Sequence, residues 1–242
     1  MKTLSADVVV VGGGSTGAGV VRDVAMRGYS AILVDRADLG QGTTGRYHGL
    51  LHSGGRYVVS DPHSATECAE ENAIIARIQA HAVERTGGYF VATHVDDPSW
   101  GDEWAKGATD TKVPFEEVSV TEVLKAEPRV NPKISRAFKV EDGSVDGWQM
   151  VWSAANSAKL YGAQILTYHR VTKIERDGDR VAQVICTDEK TGEEVRINTN
   201  FVLNCAAAWG GQIAHMAGYP DVQVVTVAGI RIALNRRLTI SV

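Results

Sequence analysis

Three glycines near the N-terminus have the spacing of a nucleotide-binding turn. Gly12, Gly14 and Gly17 form the pattern G-x-G-x-x-G. The first allows a sharp turn, the second lets the backbone approach a pyrophosphate, and the third lets a helix pack closely on a strand. Ser15 and Thr16 open the following helix, where amide groups and the helix dipole favour a phosphate. The indicated chemistry is dinucleotide binding, and the alternative is a glycine-rich turn in an ordinary α/β unit.

An acidic residue follows at the position where the ribose of a dinucleotide would be bound. Asp35 ends the next apolar run, residues 31–34, and can accept hydrogen bonds from a ribose hydroxyl. An acid here, in place of Arg or Ser, argues against a 2′-phosphate, so FAD or NAD is expected and NADP is not. Arg36 follows directly and is included among the expected cofactor-binding residues.

Two apolar runs and one helix must position these groups. Residues 8–11 are a continuous β-branched run, which is typical of a parallel strand buried on both faces. A helix is predicted over residues 15–27, with Gly28 as its C-cap, and residues 31–34 return as a second buried strand. The pattern therefore predicts a Rossmann-like strand–helix–strand unit.

Composition bounds the class of protein. The chain has 242 residues, of which 44% are hydrophobic and 22% charged, with a net charge of −4, so a soluble globular protein without nucleic-acid binding is expected. No stretch approaches the ~20 apolar residues of a membrane span. Asp7 interrupts the N-terminal apolar run, so no signal peptide is expected. The three cysteines are far apart, which indicates a reducing cytoplasm and small buried side chains.

A second glycine-rich stretch, residues 37–60, carries many hydrogen-bonding side chains. Its small and polar residues suit backbone that passes close to a ligand, and a flexible surface loop is the alternative. His48 and His52 are four residues apart, a spacing that on a helix would resemble a metal-binding pair. Gly49 and the two glycines after His52 disfavour a helix, so no metal site is expected.

Further elements are predicted from periodicity and turn signals. Single strands are predicted over 89–93, 163–166 and 201–205, and a three-strand meander over 171–177, 180–188 and 193–198. Helices are predicted over 62–82, 121–127 and 148–161. Asp142-Gly143 is a hairpin-turn signal between strands at 136–140 and 144–145.

The strand–helix–strand unit followed by GTTGRYHGLLHSGGRY resembles the flavin-dependent glycerol-3-phosphate dehydrogenases, within the D-amino-acid-oxidase-like flavoproteins. Among them it most resembles the large catalytic subunit of the anaerobic, quinone-linked enzyme. The resemblance implies FAD and an α/β fold: a Rossmann-like FAD-binding domain with a parallel sheet and a β-meander, plus an interleaved, incomplete α+β substrate domain. The implied FAD-binding segments are 1–94 and 151–220, and the implied substrate-domain segments are 95–150 and 221–242.

The resemblance also implies which residues line the flavin site. It places Thr43, Thr44 and Gly45 near the pyrophosphate of FAD. It places residues 48–53 alongside the flavin ring. The residues expected to contact the ring are His48, Gly49, Leu50 and Ser53.

A later segment is implied to complete the cofactor site. In relatives the backbone at the position of Val171 meets the adenine, although its side chain can simply be a core residue. The family pattern N-A-A/T-G-x-W corresponds here to a segment that keeps Asn204 and Trp209. Ala207, preceded by Ala206, stands where the family has glycine, so an added methyl is expected to crowd the flavin site.

Three residues of the HSGGRY stretch are candidates for the chemistry. Arg56 and Tyr57 match the family's Arg-Tyr pair that faces the substrate, and Arg offers a bidentate fork to a phosphate. Arg56 can instead cap a loop or bind a phosphate of FAD, and Tyr57 can be a packed aromatic. His52 is the candidate general base for the substrate hydroxyl, or contacts only the flavin.

The expected function is oxidation of sn-glycerol 3-phosphate to dihydroxyacetone phosphate by hydride transfer to FAD. Electrons then pass to a quinone through membrane-anchor and iron–sulfur partner subunits, at a cytoplasmic location or peripheral to the inner face of the membrane. The alternatives are another FAD-dependent oxidoreductase acting on a 2-hydroxy acid or an amine, and an inactive nucleotide-binding homologue. Because relatives continue for about as long again, the chain is expected to be the N-terminal part of an enzyme or a truncated homologue.

Overall fold

The computed structural model describes residues 2–232 and 234–242. Its strands are β1 (Lys2–Ser5), β2 (Val8–Val11), β3 (Ala31–Val34), β4 (Leu50–Leu51), β5 (Val83–Glu84), β6 (Gly88–Thr93), β7 (Phe115–Val118), β8 (Ile134–Val140), β9 (Gly143–Val145), β10 (Gln164–Leu166), β11 (His169–Asp177), β12 (Arg180–Asp188), β13 (Glu194–Asn198) and β14 (Phe201–Asn204). Its α-helices are α1 (Ser15–Met26), α2 (Pro62–Ile78), α3 (Trp100–Asp110), α4 (Val120–Ala126), α5 (Gly147–Leu160) and α6 (Gly210–Met216). Short 3-10 helices span Thr43–Arg46, Ala80–Ala82 and Ala207–Trp209. Within the described residues, no helix has both the length and the apolar character that a bilayer crossing requires.

The chain divides into two compact units. The first comprises Met1–Tyr47 and Gly147–Arg231, and the second comprises His48–Asp146 and Ile232–Val242. The domain segments implied by the resemblance stay a prediction. The spatial division differs from them by grouping residues 48–94 with the second unit and residues 147–150 and 221–231 with the first.

A parallel sheet forms the centre of the first unit. Its strand order is β10-β3-β2-β14, and every pairing in it is parallel. Val10 and Leu33 pack with residues of α1 and α5, whereas Val9 and Ile32 face the strands of the meander. Both faces of the central strands are therefore buried, which explains their unbroken β-branched sequence. Burying each of these side chains contributes about 1.5–3 kcal/mol.

The predicted strand–helix–strand unit is confirmed in detail. The strands occupy 8–11 and 31–34, and α1 ends one residue earlier than expected, with Arg27 as its C-cap. Gly28 has φ +87°, a left-handed conformation that favours glycine after a helix. The local signals were sufficient here because each one comes from neighbouring residues.

The meander is also present, and it carries one strand that the sequence analysis missed. Strands β11, β12 and β13 pair antiparallel in succession, as predicted. Strand β1 then pairs in parallel with β13, so the sheet has the order β1-β13-β12-β11. Lys2–Ser5 is too short and too polar for its periodicity to indicate a strand, and its partner lies far away in sequence.

The second unit contains two three-stranded antiparallel sheets, β6-β8-β7 and β4-β9-β5. Helix α3 packs beside the first of these, where Trp104 stacks on Phe138 at 4.8 Å and on Phe90 at 5.1 Å between ring centroids. Helix α3 and strand β7 lie in the polar stretch 96–131, where no element except α4 was predicted. Helix α2 ends at Ile78, earlier than the predicted residue 82, and a 3-10 turn follows it.

The predicted hairpin at Asp142-Gly143 is wrong. Strand β8 pairs with β6 and β7, whereas β9 pairs with β4 and β5, so the two strands belong to different sheets. The chain passes from one sheet to the next at Asp142, whose side chain is buried. The dipeptide matched a turn signal, but long-range pairing decided the conformation.

Candidate functional site

The glycine turn after β2 has the geometry that its spacing predicts. Gly12 has φ +111°, and a Cβ there would lie 2.5 Å from the carbonyl oxygen of Cys205. A Cβ on Gly17 would overlap the carbonyl oxygen of Gly12. Both positions therefore exclude a side chain, because the turn is tight and α1 packs directly against it.

The N-terminus of α1 presents amide groups that have no protein partner. The first backbone hydrogen bond of the helix runs from the Ala18 amide to the Gly14 carbonyl oxygen at 2.9 Å. In the described part of the chain, the amides of Gly14, Thr16 and Gly17 donate to no protein acceptor. Free amides together with the helix dipole form a site that suits a phosphate group. The residues present thus fit the pyrophosphate of a dinucleotide.

The segment expected near the pyrophosphate lies against this helix end. Oγ1 of Thr44 accepts a hydrogen bond from the Ser15 amide at 3.0 Å. Gly45 is held closely, since a Cβ there would lie 2.6 Å from the Gly40 carbonyl oxygen and 3.1 Å from the ring of Trp148. The structure therefore brings the Thr43–Arg46 turn, with Thr43 at its start, to the opening of α1.

Asp35 lies at the carboxyl end of β3, where a ribose would be expected, and it already has two partners. Its Oδ2 accepts a hydrogen bond from the Gly13 amide at 2.6 Å, and its Oδ1 accepts one from the Ala37 amide at 2.8 Å. Each carboxylate oxygen retains a further acceptor position, so a ribose hydroxyl can still bind. Sequence reasoning missed that the acid also fixes the glycine turn.

The remaining cofactor candidates of this unit lie near the carboxyl ends of the parallel strands or in the core. The guanidinium of Arg36 lies 4.4 Å above the ring of Trp209, a cation–π contact. Ala207 has φ +46°, in the left-handed region, and follows Ala206, which has φ −79°. Val171 is buried in the core, so its side chain has the structural role named as the alternative, and contact of its backbone with adenine stays a prediction.

In the second unit, one loop gathers the candidate catalytic side chains. The rings of His48 and His52 are 5.0 Å apart, and His52 meets Tyr57 edge-on at 6.3 Å. The Arg56 guanidinium lies 6.0 Å from the Tyr57 ring. Arg56 is exposed, and among the described residues it has no carboxylate partner. An imidazole, a phenol and an uncompensated cation thus occupy one short stretch.

The glycines of this loop hold it on the aromatic core. Gly54 has φ +104°, and its carbonyl oxygen accepts the Tyr57 amide at 2.9 Å. A Cβ on Gly55 would lie 2.6 Å from the ring of Phe90. The Gly55 carbonyl oxygen accepts a hydrogen bond from Nε1 of Trp104 at 3.0 Å. The loop is therefore packed in place, contrary to the alternative of a flexible surface segment.

Asp142 completes this cluster, and sequence reasoning missed it. The amide and the hydroxyl of Ser53 both donate to its Oδ1 at 2.6 Å, and Nδ1 of His52 lies 3.4 Å from its Oδ2. Burial raises the pKa of Asp142, but the hydrogen bonds from His52 and Ser53 lower it by more, so the net pKa lies below the ordinary value. Both donor groups of Ser53 are engaged by Asp142, and contact of Ser53 with the flavin stays a prediction.

The thiols and histidines form no metal centre in the part of the chain that the structure describes, where no three metal-binding side chains converge. Cys186 is fully buried, and burial raises the pKa of its thiol to about 12. Cys68 and Cys205 are partly buried, and burial raises the pKa of both thiols. A raised pKa disfavours the thiolate, which is the reactive form of a cysteine side chain.

Comparison with known proteins identifies relatives of this chain. The family model described as FAD dependent oxidoreductase matches residues 7–240. The anaerobic glycerol-3-phosphate dehydrogenase of Haloferax volcanii has one subunit that is 42% identical over 96% of this chain and 41% of its own length. The equivalent subunit in Escherichia coli K12 is 42% identical over 91% of this chain and 40% of its own length. The chain therefore spans about two fifths of the length of these curated relatives.

Solved structures share the fold at lower sequence identity. L-proline dehydrogenase from P. horikoshii superposes with a TM-score of 0.78 at 21% identity, covering 90% of this chain and 57% of that one. L-α-glycerophosphate oxidase from Mycoplasma pneumoniae, with FAD bound, gives a TM-score of 0.72 at 22% identity, covering 89% and 57%. The expected α/β fold class is thereby confirmed.

Proposed function

Because this chain belongs to the family of FAD-dependent oxidoreductases, we propose that it is part of a glycerol-3-phosphate dehydrogenase and binds FAD and a phosphorylated alcohol. Family membership confirms the resemblance seen in the sequence, and with it FAD as the cofactor of the family. The reaction proposed is oxidation of sn-glycerol 3-phosphate to dihydroxyacetone phosphate.

The cofactor half of the proposal is supported by the first unit. The unpaired amides of Gly14, Thr16 and Gly17 can hold a pyrophosphate, with Thr44 beside them. Asp35 can take a ribose hydroxyl on its remaining acceptor positions. When bound, FAD supplies the acceptor for a hydride, which no side chain offers.

The observation that carries the substrate assignment is the grouping of His52, Tyr57 and Arg56 on one loop. The oxidation removes a hydride from the alcohol carbon and a proton from its hydroxyl, leaving a carbonyl. His52 is proposed to take the hydroxyl proton, Tyr57 to hydrogen-bond the substrate, and Arg56 to hold the phosphate. The absence of a carboxylate partner for Arg56 among the described residues supports the last role, because an ion pair would compete with the phosphate.

The electron acceptor and the partners are proposed from the relatives. The curated relatives described above are each named as one subunit of an anaerobic enzyme, so a complex of several subunits is proposed here too. We infer that electrons leave the flavin towards a quinone through iron–sulfur and membrane-anchor subunits. Such a complex would hold the chain at the inner face of the membrane.

The test is the visible spectrum of the purified chain with FAD, recorded before and after anaerobic addition of glycerol 3-phosphate. Bleaching of the flavin band by this compound, and not by glycerol, is the expected result. Bleaching only by a 2-hydroxy acid or an amine would move the assignment to another oxidoreductase of the same family. A chain that takes up no FAD, or whose flavin stays oxidised with every compound, would contradict the proposal for this chain.

A further inference from the structure

Asp142 shares its two carboxylate oxygens between Ser53 and His52, on the loop that carries the candidate catalytic groups. We propose that Asp142 is a positioning residue that accepts the Nδ1–H of His52 and so leaves Nε2 as the basic nitrogen of the ring. This rests on the proposed function, in which His52 takes the hydroxyl proton of the substrate.

The hydrogen-bond arrangement assigns the proton on the ring. Oδ1 of Asp142 accepts both the amide and the hydroxyl of Ser53 at 2.6 Å, which leaves Oδ2 for the imidazole. An ionised carboxylate only accepts hydrogen bonds, and a neutral imidazole has one donor and one acceptor nitrogen. The nitrogen that faces Oδ2 at 3.4 Å is Nδ1 of His52, so Nδ1 must carry the hydrogen.

The carboxylate is held in its ionised form by its surroundings. Asp142 is 4% exposed, and burial alone would favour the neutral acid. The three donors provided by Ser53 and His52 outweigh burial, so the pKa of Asp142 lies below its ordinary value. The acceptor-only role of this side chain therefore applies at neutral pH.

The backbone on both sides of the pair is fixed. Nδ2 of Asn72, on α2, lies 3.3 Å from the Leu51 carbonyl oxygen and 3.5 Å from that of Glu141. These carbonyls belong to the residues that immediately precede the histidine and the aspartate. Leu51 also pairs with Gly143 in the β4–β9 ladder. The paired backbone of these neighbouring residues therefore brings the side chains of His52 and Asp142 together.

The pair is asymmetric in its access to solvent. The side chain of His52 is 17% exposed, and that of Asp142 is 5% exposed. The imidazole is thus the accessible member, next to Tyr57, and the aspartate is the buried one. A buried acceptor that fixes the tautomer of an accessible histidine is an arrangement that makes the opposite nitrogen available as a base.

The direct test is nitrogen NMR of the full 242-residue chain labelled with [15N]histidine, recorded at about pH 8.5, where an imidazole is neutral. The His52 signals are assigned by their loss in His52→Gln. The expected wild-type spectrum shows a protonated Nδ1 and an unprotonated Nε2 for this residue. The opposite tautomer, or an equal mixture, would overturn the proposal without reference to any further variant.

Asp142→Asn supplies the second readout. The amide and hydroxyl of Ser53 would still donate to the side-chain oxygen of the new asparagine. Its NH₂ group would then face the His52 ring and would require Nδ1 as a hydrogen-bond acceptor. The tautomer is then expected to invert to Nε2–H. Glu141→Gln removes the same charge one residue away on an exposed side chain and is expected to leave the spectrum unchanged. An unaltered His52 tautomer in folded Asp142→Asn would contradict the proposal.

Flavin reduction separates this inference from the proposed function. In the FAD-loaded chain, Asp142→Asn is expected to slow bleaching by glycerol 3-phosphate by about 10²-fold or more, since a general base contributes at least that much. Glu141→Gln is expected to keep the wild-type rate. If the wild type shows the expected tautomer and no bleaching, the positioning role stands and the substrate assignment fails. If bleaching is equally fast in Asp142→Asn, the positioning role fails and the substrate assignment stands.

Discussion

The carboxylate of Asp35 reaches back across the glycine turn, where its Oδ2 accepts the Gly13 amide at 2.6 Å. Its other oxygen accepts the Ala37 amide at 2.8 Å, so one side chain ties the turn after β2 to the loop after β3. The same residue is the candidate ligand of the ribose. We therefore expect both the stability of the glycine turn and the affinity for the nucleotide to depend on Asp35.

Replacement of Asp35 by Ala tests that double role. Two partly buried amides would lose their acceptor, which is expected to lower the free energy of unfolding by about 1–3 kcal/mol and to weaken FAD binding. Urea unfolding and a fluorescence titration of FAD measure the two effects. Asp23→Ala, on the exposed surface of α1, is the control and is expected to change stability by less than about 0.5 kcal/mol. A fully stable Asp35→Ala would show that these hydrogen bonds do not hold the turn.

Two glycines of α1 make a matched pair for steric tests. A Cβ at Gly17 would overlap the Gly12 carbonyl oxygen, whereas a Cβ at Gly19 meets nothing within 4 Å. Gly17→Ala is expected to destabilise the chain by about 2 kcal/mol or more, in the range of overpacking. Gly19→Ala is expected to stabilise it by about 0.5–1 kcal/mol, because alanine is the better helix former. Equal urea midpoints for the two variants would contradict the close contact between α1 and the glycine turn.

The conformation of Ala207 predicts that glycine is the better residue there. Its φ of +46° costs a non-glycine residue about 1–2 kcal/mol, so Ala207→Gly is expected to raise the free energy of unfolding by about 1 kcal/mol. Ala206→Gly is the control. Its φ of −79° is ordinary, so the glycine is expected only to destabilise. If removal of the methyl also makes room for the flavin, the affinity for FAD rises in Ala207→Gly and not in Ala206→Gly. Equal changes in the free energy of unfolding of the two variants would rule out backbone strain at Ala207.

Arg56 is expected to determine affinity for the substrate and not for the flavin. Hydrogen bonds to charged groups contribute about 1.5–3 kcal/mol, so Arg56→Gln is expected to raise the glycerol 3-phosphate concentration for half-maximal bleaching roughly 10- to 100-fold. Arg85→Gln removes an exposed cation of the same unit and is expected to have no effect. If Arg56→Gln instead releases FAD and leaves the substrate dependence intact, the arginine binds the cofactor, which is the alternative left open by the sequence.

A buried carboxylate in the second unit predicts a loss of stability at acid pH. Oε1 of Glu127 accepts the Ile240 amide at 2.8 Å and also the amide and hydroxyl of Ser241. Burial raises the pKa of Glu127, but these hydrogen bonds outweigh it, and the net pKa lies below the ordinary 4.5. The contribution of the Glu127 carboxylate to the free energy of unfolding is therefore complete above about pH 4.5. It is lost as the pH falls through the lower pKa that Glu127 has in the folded state.

Glu127→Gln tests this by urea unfolding at neutral and acid pH. We expect a lower free energy of unfolding at neutral pH and a smaller decrease between about pH 5 and pH 3 than in the wild type. Glu116→Gln, an exposed change on β7, serves as the control and should follow the wild-type pH curve. A Glu127 variant that loses as much stability in acid as the wild type would mean that other carboxylates cause the loss.

Much of the first unit could be predicted because its signals are local. Strands β2 and β3, the glycine turn and the start of α1 were each recognised from consecutive residues, and the meander from its turns and alternation. The exception is β1, which pairs with β13, nearly 200 positions further along the chain. A four-residue polar strand carries no local signal, because its stability comes from pairing.

The second unit was less predictable for the same reason. The Asp142-Gly143 dipeptide looked like a turn, but β8 and β9 find partners in separate sheets, and no local feature distinguishes the two outcomes. Asp142 and Ser53 are 89 residues apart, and Glu127 and Ile240 are 113 apart. Buried carboxylates of this kind become visible only when the donors that satisfy them are placed.

By itself the sequence determined the family, the cofactor and the chemical types gathered in the HSGGRY loop, because spacing over a few residues is a property of the chain. It also determined that Gly12 and Gly17 must be glycines. The tertiary structure alone decided which carboxylates are buried and hydrogen-bonded, namely those of Asp142 and Glu127. A carboxylate can be solvated or can accept hydrogen bonds from a histidine, and the outcome depends on which backbone and side-chain donors fold against it. Because an unpaired buried carboxylate is costly, a buried one requires these long-range donors.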